Sequence, residues 1–152
     1  MWGITSINIM LLGEFKHNMD TKGRVAVPSK FRENLQTGAI VTRGLDHCLF
    51  IFSKTEWETL VSKITSLPLA QADSRAFARL MLAGATDVKI DTQGRILIPD
   101  SLRDYAHLKK QVVVTGMYTR IELWDADQWE TYKKRTESSA DEIAEKLGEI
   151  GI

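Results

Sequence analysis

Apolar and polar side chains alternate from Gly13 to Met19, with Phe15, His17 and Met19 on one face and Glu14, Lys16 and Asn18 on the other. That two-residue period predicts a half-buried strand. Asp20–Gly23 then supplies turn residues, and the alternation resumes in Arg24-Val25-Ala26-Val27 with Val25 and Val27 on the buried side. Pro28 donates nothing to a ladder, so the strand stops there. Ser29 is the expected cap of a short helix over Lys30–Leu35. The same pattern returns later. Ala85–Ile90 puts Val88 and Ile90 inward, Asp91–Gly94 turns, and Ile96 and Ile98 point inward again. Pro99 follows, then a short helix over Leu102–Leu108 capped by Asp100 or Ser101. Each pattern reads as a hairpin followed by a short helix.

The recurrence extends to identity. Met19-Asp20-Thr21-Lys22-Gly23-Arg24-Val25-Ala26-Val27-Pro28-Ser29-Lys30-Phe31-Arg32 matches Ile90-Asp91-Thr92-Gln93-Gly94-Arg95-Ile96-Leu97-Ile98-Pro99-Asp100-Ser101-Leu102-Arg103 at a constant offset of 71. Asp, Thr, Gly, Arg, Pro and the final Arg are shared, so the chain is two tandem units of one kind. Downstream, strands Ala39–Thr42 and Cys48–Phe52 match Val112–Thr115 and Ile121–Trp124 at an offset of 72, one residue having been inserted after the short helix. Longer helices follow. Ser53-Lys54-Thr55-Glu56 has capping-box spacing ahead of Trp57, Leu60, Val61 and Ile64, and Asp125 plays the same part ahead of Trp129 and Tyr132. Leu67-Pro68 ends the first long helix, and Ala70–Ala83 is expected as a linking helix with Phe77, Leu80 and Met81 on its apolar face. Ser139-Ala140-Asp141-Glu142 repeats the capping device before a last helix carrying Ile143, Leu147 and Ile150 among acids. The expected division is residues 1–12 as an extension and start of the first strand, 13–67 as unit one, 68–83 as the linking helix, 84–135 as unit two and 136–152 as an acidic helical tail.

Composition narrows the class. One cysteine, Cys48, excludes an internal disulfide and fits a reducing cytosol as a buried small hydrophobe. No apolar run approaches the ~20 residues of a membrane span. Met1–Ile9 lacks the basic stretch of a signal peptide and reads as an upstream start or an extension, with Met10 the natural beginning. The 152 residues carry no net charge, but the charge is polarised. Residues 13–43 hold six bases against three acids, whereas residues 122–152 hold four bases against nine acids. A neutral total thus conceals a basic first tip and an acidic tail.

Asp-x-x-Gly-Arg-apolar-x-apolar-Pro-x-x-apolar-Arg resembles the AbrB-type DNA-binding domain. Two tandem copies, with the opening Met10-Leu11-Leu12-Gly13-Glu14-Phe15, resemble the MraZ family of bacterial transcriptional regulators from about Met10 to Trp129. The resemblance implies an α+β fold. Its two units would interlock as an intramolecular pseudo-two-fold swapped-hairpin β-barrel with flanking helices. It also implies a ring-shaped, octamer-like homo-oligomer, cytoplasmic and nucleoid-associated. Such a protein would bind double-stranded DNA at promoter direct repeats and control the division and cell-wall gene cluster, its own promoter included. No cofactor, metal, membrane or small-molecule substrate is implied.

The residues themselves suggest how. Gly23 and Gly94 can take positive φ, and Asp20 and Asp91 can bond backbone two residues on, so these four build the turns. Lys22 and Arg24 at the first tip are the strongest DNA-contact candidates, Lys22 for phosphate and Arg24 for guanine or phosphate. An Arg24–Asp20 ion pair that locks the turn is the structural alternative, and the two roles are compatible. Arg95 and Gln93 are their counterparts, weakened by glutamine standing where the first tip has lysine. Lys16 and Arg32 are further phosphate candidates. Trp57 and Trp129 are expected in the core, and His17 at a partly buried edge. The alternative function is a MazE-type antitoxin with a toxin partner, although such proteins usually carry one unit and a disordered tail. An enzyme is disfavoured, since His17, His47 and His107 sit in unrelated elements and no nucleophile–base pair is evident.

Overall fold

A computed structural model describes residues 11–151; the expectations for Met1–Ile9 and Met10 lie outside the described residues. Strand β1 (Leu12–Asn18) leads through the first turn to β2 (Arg24–Ala26) and α1 (Ser29–Arg32), which runs on as a 3-10 turn over Glu33–Leu35. The first unit continues with β3 (Ala39–Arg43), β4 (Leu49–Ser53) and α2 (Lys54–Thr65). Helix α3 (Ala72–Ala78) and a π-helical turn (Arg79–Ala83) link it to β5 (Thr86–Val88), β6 (Arg95–Leu97) and α4 (Asp100–Tyr105). β7 (Gln111–Met117), β8 (Ile121–Asp125), α5 (Ala126–Ser138) and α6 (Ala140–Gly148) complete the chain.

The strands make a six-stranded antiparallel sheet in the order β1-β7-β8-β4-β3-β5 and a separate β2-β6 pair. Exchanging β1 with β5, β7 with β3 and β8 with β4 leaves that order unchanged, which is the signature of a pseudo-two-fold relation between the units. Pairing crosses between units at each end: β1 lies on β7, β5 on β3, and β2 on β6. The expected hairpin is therefore corrected. β1 and β2 are joined by a tight turn, but each takes its ladder partner from the other unit.

Among the described residues the sheet does not close into the expected barrel, since β1 and β5 end it at opposite edges. β2 and β6 are three residues long, cut off close to Pro28 and Pro99, and pair with each other as a ribbon over the open sheet. The architecture is α+β.

Two apolar layers hold the sheet. On one face Val25, Val27, Ile96 and Ile98 of the ribbon, Phe31 of α1 and Leu102 of α4 pack on Val41, Ile51, Val112, Val114 and Leu123. On the other, Phe50, Phe52, Val113 and Trp124 meet Ile64, Trp57, Phe77, Met81 and Trp129 from the helices. Trp57 and Trp129 are half-buried and pack against this core, as expected. Cys48 is fully buried, and burial pushes its thiol well above the ordinary range.

Three helix details differ from expectation. Pro28 and Pro99 precede the short helices as their N-caps, without a side-chain bond from Ser29, Asp100 or Ser101, and Asp100 pairs with Arg103 instead. Ser53 and Asp125 cap as expected, accepting from the N–H of Glu56 (3.2 Å) and Gln128 (3.3 Å). The third cap is absent: the Ser139 N–H is bonded to Thr136 as α5 ends, and its side chain makes no capping bond to α6. The linking helix is interrupted by the π turn. Phe77, Ala78, Met81 and Leu82 pack on the core. Leu80 is left out of that cluster, and its carbonyl accepts from Arg43 Nε at 2.9 Å.

Candidate nucleic-acid interface

Both tips use one device. The Asp20 carboxylate accepts the backbone N–H of Lys22 and of Arg24, each at 2.9 Å, through Oδ1, and Arg24 Nε at 2.7 Å through Oδ2. Asp91 repeats this with the N–H of Gln93 and Arg95 at 2.9 Å and Arg95 Nε at 3.1 Å. A carboxylate so supplied with donors resists protonation. Asp20 is held down to about 2, chiefly by the Arg24 backbone N–H, and Asp91 is lowered chiefly by that of Arg95.

Gly23 and Gly94 close the turns at φ +86° and +79°, where a side chain is strained. A side chain there would also displace a neighbour. A methyl on Gly23 would strike the Arg103 guanidinium, and one on Gly94 would strike that of Arg32. Each unit's final motif arginine thus lies against the other unit's turn. Arg103 Nη1 donates to Ile98 O (2.7 Å) and Lys22 O (3.3 Å), and Arg32 Nε donates to Val27 O (2.9 Å). The backbone completes the latch, Val27 N donating to Gly94 O and Ile98 N to Gly23 O, both at 2.9 Å.

The latch sets the two tips at opposite ends of the short ribbon and brings their arginines onto one face of it. In the ribbon Arg24 stands opposite Leu97, and Arg95 opposite Ala26. These four point outward while Val25 and Ile96 point in. Arg95 Nη1 also approaches Asp20 Oδ2 at 3.6 Å, so one carboxylate lies between the two guanidiniums. Lys22 and Gln93 are exposed on the flanking turns.

Of the expected contact residues, Arg24 and Arg95 come together at Asp20, Lys22 and Gln93 lie on the turns at the two ends of the ribbon, and Asp20, Gly23, Asp91 and Gly94 build those turns. Lys16 does not join them. It lies on the helix-side face of β1, in a groove shared with Trp129 and Lys133 of α5, because strand alternation puts it with Glu14 rather than with Phe15. Arg32 is committed beneath the second tip. His17 is half-buried, and burial lowers its pKa. Arg103 and Leu97 do not stand out in the sequence. The repeated arginine at positions 32 and 103 is the available signal for the first, but nothing in one dimension shows that it crosses between units. Among the described residues no cluster of histidine, cysteine and carboxylate side chains could hold a metal, and no helix is long and apolar enough to cross a membrane.

Residues 10–80 and 81–149 each match the family described as "MraZ protein, putative antitoxin-like". The chain belongs to the MraZ family. Each matched stretch carries one tip, and the two meet inside the π-helical turn, between Leu80 and Met81. MraZ relatives match over nearly the whole chain. The protein named transcriptional regulator MraZ of Alkaliphilus metalliredigens is 50% identical over 143 residues, which is 94% of this chain and 100% of the relative. That of Acetivibrio thermocellus is 51% identical and that of Natranaerobius thermophilus 47%, with the same coverage.

Proposed function

We propose that this protein is a transcriptional regulator that binds double-stranded DNA through the outward face of the β2–β6 ribbon and its two tips. The observation that carries the reading is the convergence of Arg24 and Arg95 on one exposed face, each anchored through Nε so that it is aimed before DNA arrives. A guanidinium held this way keeps terminal amines for the O6 and N7 of guanine or for a phosphate, and a two-stranded ribbon fits a major groove about 12 Å wide. Lys22 on the flank supplies a phosphate contact. Gln93 offers a neutral amide for a base edge. Lys16 and Arg32 are left out of this face, and Arg32 acts by holding the second tip in place.

One ribbon neutralises few phosphates, so tight binding at physiological salt calls for several ribbons acting together. A ring of identical chains, octamer-like as the resemblance implies, repeats the ribbon around one face at high effective concentration. Its operator is then a set of short direct repeats spaced near the helical period, about 10 bp, in the promoter of its own division and cell-wall gene cluster. The antitoxin reading calls for a disordered toxin-binding tail; here the tail is helical from Ala140 to Gly148. Footprinting on the promoter upstream of its own gene tests the proposal, followed by probes with one, two and three repeats. Affinity is expected to climb steeply with repeat number and to collapse when about half a helical turn is inserted between repeats. A single repeat bound as tightly as three, or indifference to the insertion, overturns the multivalent mechanism. No protection on that promoter overturns the target.

A further inference from the structure

The two arginines of the ribbon are related by the pseudo-two-fold, yet their surroundings differ in two respects. The first is how firmly each is held. Arg24 pairs with one carboxylate, Asp20, to which it donates Nε at 2.7 Å. Arg95 reaches Asp91 through Nε (3.1 Å) and Asp20 through Nη1 (3.6 Å), so one of its terminal amines is already turned toward a carboxylate.

The second is what stands opposite. Ala26 faces Arg95, but Leu97 faces Arg24. The ladder bonds at Val27–Gly94 and Ile98–Gly23 make these intervening pairs the close, non-hydrogen-bonded kind, with Cα atoms about 4.5 Å apart and side chains adjacent. Leu97 is 53% exposed. An exposed leucine is ordinary by itself, but this one is the large apolar side chain on a face otherwise made of two arginines and an alanine. It sits beside the guanidinium with the freer donors.

We propose that Leu97 is a specificity-determining residue, which packs on the C5-methyl of a thymine adjoining the base read by Arg24. The inference rests on the DNA-binding reading above and goes beyond it. In the major groove an arginine recognises the acceptors of guanine, and an apolar side chain recognises the thymine methyl. Two side chains on neighbouring strands at this spacing reach adjacent base pairs. The ribbon is therefore an asymmetric reader. The Arg24–Leu97 half reads a guanine and a neighbouring thymine, and the Arg95–Ala26 half, with no apolar side chain of comparable reach, reads no methyl.

The test is a methyl-deletion scan. Full-length protein is titrated, by fluorescence anisotropy, with the promoter fragment it protects and with the same fragment carrying deoxyuridine in place of each repeat's thymines, one position at a time. The scan is repeated with Leu97→Ala and Leu97→Met, with circular dichroism on each variant. One thymine position per repeat is expected to weaken wild-type binding about fourfold for each methyl removed, the effect of one buried methyl-sized group. The same change should leave Leu97→Ala indifferent and Leu97→Met responsive. The proposal is overturned if no thymine-to-uridine change affects wild type, or if each weakens wild type and Leu97→Ala alike; Leu97 would then serve only to pack the Arg24 stem. If wild type binds no DNA at all, the failure lies with the proposed function itself and shows as the absence of any titration.

Discussion

The two tips share a scaffold and differ in what it presents. Both turn on an aspartate that gathers two backbone N–H groups and one arginine Nε, and both close on a left-handed glycine pressed by the partner unit's arginine. Only the first adds a lysine, Lys22, where the second has Gln93. Only the first aspartate is approached by both ribbon arginines, and only the first arginine faces a leucine. The shared part is what the latch needs: a turn the chain can close without strain and an arginine long enough to reach across. The differing part lies on the exposed rim, where a substitution leaves the latch untouched. Duplication has kept the mechanics and released the chemistry, so the tips are expected to be equivalent to the fold and unequal toward a ligand.

The largest expected difference comes from deleting each arginine. Arg24→Ala should weaken specific DNA binding about 100-fold, as expected for removing a good bidentate pairing, and Arg95→Ala about tenfold, since part of its donor capacity is already directed at Asp20. Anisotropy titrations on direct-repeat DNA measure both, with thermal unfolding and gel filtration confirming fold and assembly. Equal losses would make the tips functionally symmetric despite their different neighbours. Unfolding of Arg24→Ala would show that its ion pair with Asp20 serves the turn rather than the ligand.

Much of this arrangement is legible in the sequence, and what is not has a physical reason. The duplicated motif announces two units, and alternation places Val25, Val27, Ile96 and Ile98 inward, as found. Periodicity describes what one stretch does with its own faces and is silent on which stretch it pairs with. It therefore foretells the strands but neither their exchange between units nor the open sheet that replaces a closed barrel. Arg32 shows the same limit. An arginine three residues into a short helix reads as a solvated cation, and only the folded chain reveals Gly94 beneath its guanidinium. Lys16 stands apart from the ribbon for a different reason. Its alternation with Phe15 is as the sequence predicts, but the polar face of β1 is the one beside α5.

A smaller effect sharpens the lysine–glutamine difference. Lys22→Ala should weaken binding to all sequences alike and lower the slope of log K against log salt by about 0.9 for each phosphate left without its lysine. Gln93→Lys should raise the slope by a similar amount for each further phosphate it neutralises. Titrations from low to moderate salt on specific and scrambled probes separate the two roles. If Lys22→Ala changes preference at one base position with the slope unchanged, Lys22 reads a base rather than a phosphate. An unchanged slope in Gln93→Lys would place the second tip away from the backbone, leaving Gln93 to act on base edges or to do no more than complete the ribbon.

The smallest effect is confined to acid and tests whether backbone or side chain sets the turn. Asp20 is held down to about 2, and the largest cause is the Arg24 backbone N–H, ahead of its guanidinium. A carboxyl whose folded pKa is depressed contributes stability that is fully present above its unfolded value, about 3.9. That contribution is lost as pH falls through the folded value. Fold stability from this group should therefore be flat above about pH 5 and decline from there toward pH 2 and below. Carboxyl NMR titration should place Asp20 below Asp91, which is lowered by the same kind of bonds but is approached by one arginine. Arg24→Ala then decides between the causes. Alanine keeps the backbone N–H, so the Asp20 midpoint should rise only part of the way toward its ordinary value. A full return would mean that the guanidinium holds the loop, and deleting it would disorder the tip as well as remove its donors. A partial return keeps the tip's shape independent of the side chain it presents, and shape and chemistry must be separable in this way for two equal scaffolds to carry unequal readers.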